Sequence, residues 1–318
     1  MGCGSSSSFD LAPHEGQGHG RSKLKLPKLL IIGGLENAEP TGRIDIYSLK
    51  GMEFERSLEL PKTCYNDKDV ALAVTSVVQH PGRTVLFLTG KMPKQQDLIM
   101  VNSSPFWMID LTMSTQNATK LADVPLESSE FSCYAKVDGK EYIYCVGDYQ
   151  FTRYDIINDS WCTLLPIELD GVVKCRGLYV ADGYIYAIFE DTIMEYNTLD
   201  GLHGHWSSVM DKGSKRDGKT AVADHKFYTT CINEKAVYVF NPDTRHTDLY
   251  AKIDPNDLNQ KCGVVGFGKS LYFTGCGSEK SRNSILEFDL KNKTLSLVGN
   301  IKQKNENHLA IICKLPES

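Results

Sequence analysis

Two short strings in this 318-residue chain have the residue types and spacing of functional sites. The first is Met1-Gly2-Cys3-Gly4-Ser5-Ser6. Once Met1 is removed, Gly2 offers a free amine on an unhindered peptide, and Ser6 supplies the hydroxyl that N-myristoyl transfer prefers. One myristoyl chain holds a membrane only marginally, so a second signal is needed. Cys3 lies beside the first lipid and is a natural site for S-palmitoylation. Arg21, Lys23, Lys25 and Lys28 form a basic cluster, each worth about 1 kcal/mol against an anionic leaflet. A second reading of that cluster is structural: Lys23 and Lys25 alternate with Leu24 and Leu26, as on the outer face of an entering strand. Residues 9–20 contain Gly, His and Pro without periodicity and read as a tether. Residues 1–26 are therefore expected to be a lipid-modified leader, the alternative being an unmodified one.

The second string is Gly263-Val264-Val265-Gly266-Phe267-Gly268-Lys269-Ser270, a letter-for-letter match to the nucleotide-binding P-loop. A working P-loop lies between a strand and a helix whose N-terminus faces the phosphates. Here Leu271-Tyr272-Phe273-Thr274 follows, which has the character of a strand, so the string is expected to be a hairpin turn. His203-Gly204-His205, with His225 and His246, lacks carboxylates or cysteines at ligand spacing and reads as surface loop. Acidic residues are scattered through turn-forming contexts such as Asn158-Asp159 and assemble no acid–base pair. No catalytic residue, metal site or cofactor is expected.

Composition narrows the class. Hydrophobic residues make up 41% and charged residues 24% of the chain, which suits a globular protein, and a net charge of -5 argues against nucleic-acid binding. No apolar run reaches the roughly 18 residues of a membrane helix, and the start does not read as a secretory signal. Ten cysteines form no CxxC pair and mostly sit in strand-like runs such as Tyr142-Ile143-Tyr144-Cys145-Val146. They read as reduced structural thiols, with one or two disulfides as the alternative.

The elements that would position any site recur. Each unit has an apolar run, a turn, an aromatic-rich run ending near Gly, a variable loop, a run ending in aromatic–Asp or aromatic–Asn, a polar turn and a last short strand. Anchoring the third runs on Tyr47, Ile109, Tyr154, Tyr196, Phe240 and Phe288 gives spacings of 62, 45, 42, 44 and 48 residues. That period suits the four-stranded blade of a propeller. The insert Lys91–Pro105 accounts for the longest spacing and reads either as a contact loop or as disorder. The second runs, among them EYIYCVG (141–147) and YIYAIF (184–189), alternate as half-buried strands do. Asp138-Gly139 and Asp182-Gly183 mark tight hairpins. The first unit opens directly on its second strand, LLIIGG (29–34), and residues 308–313 form an orphan strand, so the ring is expected to close by pairing the two.

Over residues 27–318 the chain resembles the kelch-repeat family, whose units carry a Gly-Gly doublet after the second strand and a Tyr and a Trp bracketing the last turn. The doublet is whole at Gly33-Gly34 and weakened at Thr89-Gly90, Val146-Gly147 and Gly275-Cys276-Gly277. The aromatic pair is intact at Tyr154 and Trp161, and stretched at Tyr196 and Trp206. The resemblance implies an all-β, six-bladed propeller. The iron-ligand pattern of plant nitrile-specifier proteins and the copper-ligand set of galactose oxidase, both kelch-type, are not found. The expectation is thus a monomeric, non-enzymatic scaffold on the cytoplasmic side of a membrane, binding protein partners and no nucleic acid. The alternative is an enzyme or binder of a sugar-like or acidic small ligand in the central channel, by analogy with galactose oxidase and sialic-acid mutarotase. Connectors entering the innermost strands carry Lys174, Arg176, Lys215, Arg216, Lys219, Lys261 and His308, diluted by Asp69, Glu130, Asp217 and Glu306. They read as a basic mouth for an acidic partner, or as a solvated rim.

Overall fold

A computed structural model describes residues 25–33, 35–36, 39–60, 66–67, 70–71, 73–80, 85–91, 103–111, 118–126, 131–147, 150–169, 175–209, 218–231, 233–253, 262–276, 283–302 and 308–316. Most of these form six four-stranded antiparallel sheets arranged as the blades of a propeller, and Leu35–Glu36 with Glu39–Pro40 and Asn66–Asp67 with Val70–Ala71 form two further two-stranded pairs. In blades 2 to 6 the strands follow chain order from the innermost outward. Blade 4 is typical: Cys175–Ala181 is innermost, followed by Tyr184–Phe189, Ile193–Asn197 and Trp206–Ser208. The strand expected at 184–189 matches to the residue. Among the described residues no helix is long and apolar enough to cross a membrane.

The hydrophobic core is divided among the blade interfaces. Strands alternate side chains between their two faces, so each blade has an apolar residue for each neighbour. Phe87 and Phe106 of blade 2 pack with Ile143, Cys145 and Tyr154 of blade 3. Tyr144 and Phe151 of blade 3 pack in turn with Phe189 and Tyr196 of blade 4, and Tyr179 and Tyr186 of blade 4 with Phe227 and Phe240 of blade 5. Aromatic rings bridge these seams: Phe106 meets Tyr154 edge-on at 5.0 Å, and Phe151 meets Trp206 at 4.8 Å. Such pairs add about 0.5–1.5 kcal/mol each beyond the area they bury.

Polar atoms pin the same seams. Trp161 Nε1 donates to the Ala122 carbonyl at 2.7 Å across blades 3 and 2, and Tyr179 Oη donates to the Thr220 carbonyl at 2.6 Å across blades 4 and 5. The recurring aromatic–Asp or aromatic–Asn step has a local cause. Asp155 Oδ1 accepts from Ile157 and Asn158 N–H, and Asp289 Oδ1 from Lys291 and Asn292 N–H, so each carboxylate folds the turn that follows it. The Asn292 N–H and its neighbours hold the Asp289 carboxyl below its usual pKa. The inner hairpins adopt the left-handed backbone that Asp-Gly favours, with φ of 49° and 79° at Asp138-Gly139.

The ring closes as expected, with a longer overlap. Leu309–Pro316 pairs antiparallel with Lys25–Ile32, from Leu309 opposite Ile32 to Pro316 opposite Lys25, and becomes the innermost strand of blade 1. The propeller thus begins at Lys25, two residues inside the expected leader. Closing-strand side chains alternate: Leu309, Ile311, Cys313 and Leu315 face blade 2, while Ala310 and Ile312 face blade 6. Lys28 is not part of a surface basic cluster. It is 6% exposed and forms an ion pair with Glu55 across blade 1.

Six of the described cysteines are free and Cys262 is disulfide-bonded, so the reduced-thiol expectation fails at that position. Burial pushes the Cys133 thiol well above its usual pKa, with Cys145 nearby adding to the effect, and it raises Cys313 too. Only the thiolate alkylates readily. In native protein Cys162, the free cysteine that is not buried, should therefore react with iodoacetamide before Cys133 and Cys313. Peptide mass mapping checks this, and equal labelling of the three would contradict the packing described.

Candidate functional site

Because the blades are antiparallel, the ring has two distinct ends. The hairpin end carries the turns joining first to second and third to outer strands. The connector end carries the loops between second and third strands and the long segments that pass from one blade to the next. The expected basic mouth belongs to the connector end. Lys174, Lys215, Arg216 and Lys261, with Asp69, Glu130, Asp217 and Glu306, lie outside the described residues, as do Gly2 and Cys3. Three mouth residues are described, and each has a different environment.

Arg176 is the second residue of the inner strand of blade 4, half-buried, and its guanidinium forms an ion pair with Glu190 in the adjacent loop. Lys219 precedes the inner strand of blade 5. Its backbone is clasped by Thr230: the Lys219 N–H donates to Thr230 Oγ1 at 3.0 Å, and Thr230 N–H donates to the Lys219 carbonyl at 2.9 Å. Gly218 permits this approach, since a Cβ there would lie 2.2 Å from the Thr230 carbonyl oxygen. The Lys219 side chain is partly exposed. His308 does not belong to an exposed mouth. It is 1% exposed, and its Nε2 lies 2.7 Å from Thr274 Oγ1 of blade 6. The ring occupies space that Gly263 leaves open, where a Cβ would fall 3.1 Å from His308 Nε2. The expected mouth therefore reduces, among the described residues, to one arginine already paired with a carboxylate and one lysine whose backbone is clasped by Thr230.

The P-loop-like string is a hairpin. Gly263–Phe267 is the inner strand of blade 6, Gly268 has φ of 58° at the bend, and Ser270–Cys276 returns as the second strand. His203 ends a short 3₁₀ segment, Thr198–His203, at the hairpin end of blade 4. Among the described residues no three His, Cys, Asp or Glu side chains stand together as a metal site.

One polar cluster carried no signal in the sequence. His80, 3% exposed, places Nε2 3.0 Å from Glu141 Oε2, and Tyr134 Oη donates to Glu141 Oε1 at 2.9 Å. It joins the inner hairpin of blade 2 to that of blade 3. With His80 and Glu141 separated by 61 positions in the chain, only the ring brings the two together. Its geometry is that of a seam between blades.

Buried phenols dominate the titration of the interior. Burial pushes Tyr47 and Tyr144 up to about 12, against an ordinary value near 10. Below pH 10 both folded and unfolded chains hold these protons. Between about 10 and 12 the unfolded chain releases them and the folded chain does not, so unfolding gains a proton-release term. Stability should therefore be level up to pH 10 and fall as pH rises from 10 towards 12. Urea midpoints at pH 9, 10 and 11 check this, and a midpoint that does not fall by pH 11 would contradict it.

Six closed antiparallel blades, six interblade cores and a ring sealed by a strand from the far end of the chain define a six-bladed β-propeller. No family model and no curated protein matches the chain. Among solved structures it is similar to a chain in the crystal structure of a nidogen/laminin complex, at 13% identity and a TM-score of 0.62. That match covers 92% of this chain and all (100%) of the other. The likeness is one of fold.

Proposed function

We propose that this chain is a non-catalytic, kelch-type interaction scaffold, held on the cytoplasmic face of a membrane by acyl groups on Gly2 and Cys3. One observation carries the reading: the repeated frame and the connecting segments are segregated. The blade strands pack through six seams, and every passage from one blade to the next leaves and re-enters the described strands at the same end of the ring. A rigid frame with variable loops at one end is how folds of this type acquire binding specificity. The kelch resemblance supports it through the Tyr154–Trp161 and Tyr196–Trp206 pairs, whose rings meet at 5.0 and 5.4 Å. The leader string Met1-Gly2-Cys3 supports the membrane half, because two acyl chains convert marginal into stable attachment. Anchoring would raise the partner's effective concentration without any new contact.

The test compares wild type, Gly2→Ala and a connector-end double variant, Arg176→Glu/Lys219→Glu, by cell fractionation and affinity purification. Intact-mass analysis of the N-terminal peptide accompanies both. Gly2→Ala should move the protein to the soluble pool, and the double variant should keep membrane attachment while losing partners. Identical fractionation of wild type and Gly2→Ala defeats the anchor, and unchanged partners in the double variant defeat the connector-end reading.

A further inference from the structure

We infer that the propeller rests on an anionic bilayer through the hairpin-end turns of blade 6, tilted with that sector down and the connector end turned away. This rests on the acyl anchor proposed above and adds the docking face to it. Two observations on the fold lead to it.

The first is where the leader joins the ring. Lys25 pairs with Pro316, so the start of the second strand of blade 1 and the finish of its innermost strand stand side by side. That position is where other blades have their inner hairpin. The leader therefore meets the propeller at the hairpin end, between blades 6 and 2, whose inner strands both pack against Leu309–Pro316. A lipid on Gly2 would be joined to this end and not to the connector end. Residues 2–25 can span at most about 80 Å, which bounds the distance to the bilayer without choosing an orientation.

The second observation makes the choice. Charge at the hairpin end is unevenly distributed around the ring. The two turns of blade 6 carry Lys269, Lys291 and Lys293, all exposed, against Asp289 alone. Lys269 and Lys291 lie on adjacent turns of one blade, tied by the Leu290 N–H donating to the Lys269 carbonyl at 3.0 Å. Lys293 Nζ sits 4.7 Å from the centre of the Tyr250 ring and remains exposed. On the far side of the ring the corresponding turns of blades 3 and 4 carry Asp138, Asp155, Asp159, Asp182 and Asp200 against Lys140 alone. An anionic surface attracts the first sector and repels the second, within about a Debye length of contact. The outcome is a tilt about the ring, with the blade 6 sector nearest the lipid.

The probe is a vesicle of phosphatidylcholine, with or without a third of phosphatidylserine. The protein is full-length and myristoylated by co-expression with the transferase, its mass verified. Four forms are compared by co-sedimentation: wild type, Gly2→Ala, Lys269→Glu/Lys291→Glu, and Lys235→Glu/Lys252→Glu. The last makes the same change in net charge on blade 5, away from the proposed face: Lys235 in a connector-end turn and Lys252 at the far end of the outer strand. Wild type should bind phosphatidylserine vesicles more tightly than neutral ones. Lys269→Glu/Lys291→Glu should lose about tenfold or more of that preference while keeping its acyl-dependent binding to neutral vesicles, and the blade 5 control should resemble wild type. Equal losses in the two double variants would overturn the docking face and leave the anchor standing. Binding no better than Gly2→Ala on either vesicle would refute the anchor and the docking face with it.

Discussion

A chain lacking residues 308–318 is expected not to fold into a ring at all. The deleted segment holds the innermost strand of blade 1, and with it Leu309, Ile311 and Leu315, each no more than 4% exposed. Fully burying side chains of this size contributes about 1.5–3 kcal/mol each, so three of them together rival the whole net stability of a typical domain, about 5–15 kcal/mol. The loss is compounded by geometry. The strand contributes to the blade 1–2 seam on one face and to the blade 6–1 seam on the other, so its removal opens two cores and bares an unpaired strand edge. Size-exclusion chromatography and far-ultraviolet dichroism of the truncated chain check this. A graded companion is Ile311→Ala, expected to cost about 2–5 kcal/mol in urea unfolding. A truncated chain that stays monomeric with the wild-type urea midpoint would contradict the closure described.

The second large effect concerns the P-loop-like string. Gly266 lies in the inner strand of blade 6, where a Cβ would stand 1.9 Å from the Val222 carbonyl oxygen of blade 5 and 2.6 Å from its carbon. The obstacle is backbone in the neighbouring blade, which cannot swing aside as a long side chain could. Gly266→Ala should therefore destabilise the protein by about 3 kcal/mol, at the upper end of the usual cost of overpacking. Lys269→Ala, at an exposed turn, should change stability by no more than about 0.5 kcal/mol. A phosphate-binding loop would show the reverse emphasis in nucleotide binding, with Lys269→Ala abolishing it. Urea melts of both variants, together with titration of wild type with a fluorescent ATP analogue, decide between them. Saturable, Lys269-dependent nucleotide binding would overturn the hairpin reading.

The blades were legible because each repeats a local rule. Alternating aromatic strands, Asp-Gly bends and the Asp155 and Asp289 turn caps operate within a few residues, so they leave marks in sequence order. The closure was legible for the same reason: a unit missing its first strand and a surplus strand imply each other. What escaped depends on contacts between distant residues. A histidine at the start of a strand looks solvent-facing in sequence. His308 turns inward because Gly263, in the neighbouring blade, leaves room and Thr274 supplies a partner. Lys28 looks like one more basic residue after the leader, and only the pairing within blade 1 brings Glu55 to it. The His80–Tyr134–Glu141 cluster could not be read from the chain, since no local pattern distinguishes a carboxylate that starts a strand from one that joins two blades. The expected basic mouth suffered in the same way. Sign and spacing along the chain identified cations, whereas the Glu190 that answers Arg176 lies on the next strand's loop.

The pairing of Leu29 with Ile312 also has a consequence in time. During synthesis the first blade must wait, lacking its innermost strand, while nearly the entire ring is translated. Its apolar residues and its exposed edge are available for mispairing throughout that interval. Contacts so remote in sequence are slow to form, and until the final strand docks the molecule is an open arc, which points to a dependence on holding chaperones during biogenesis that the finished, sealed ring does not share.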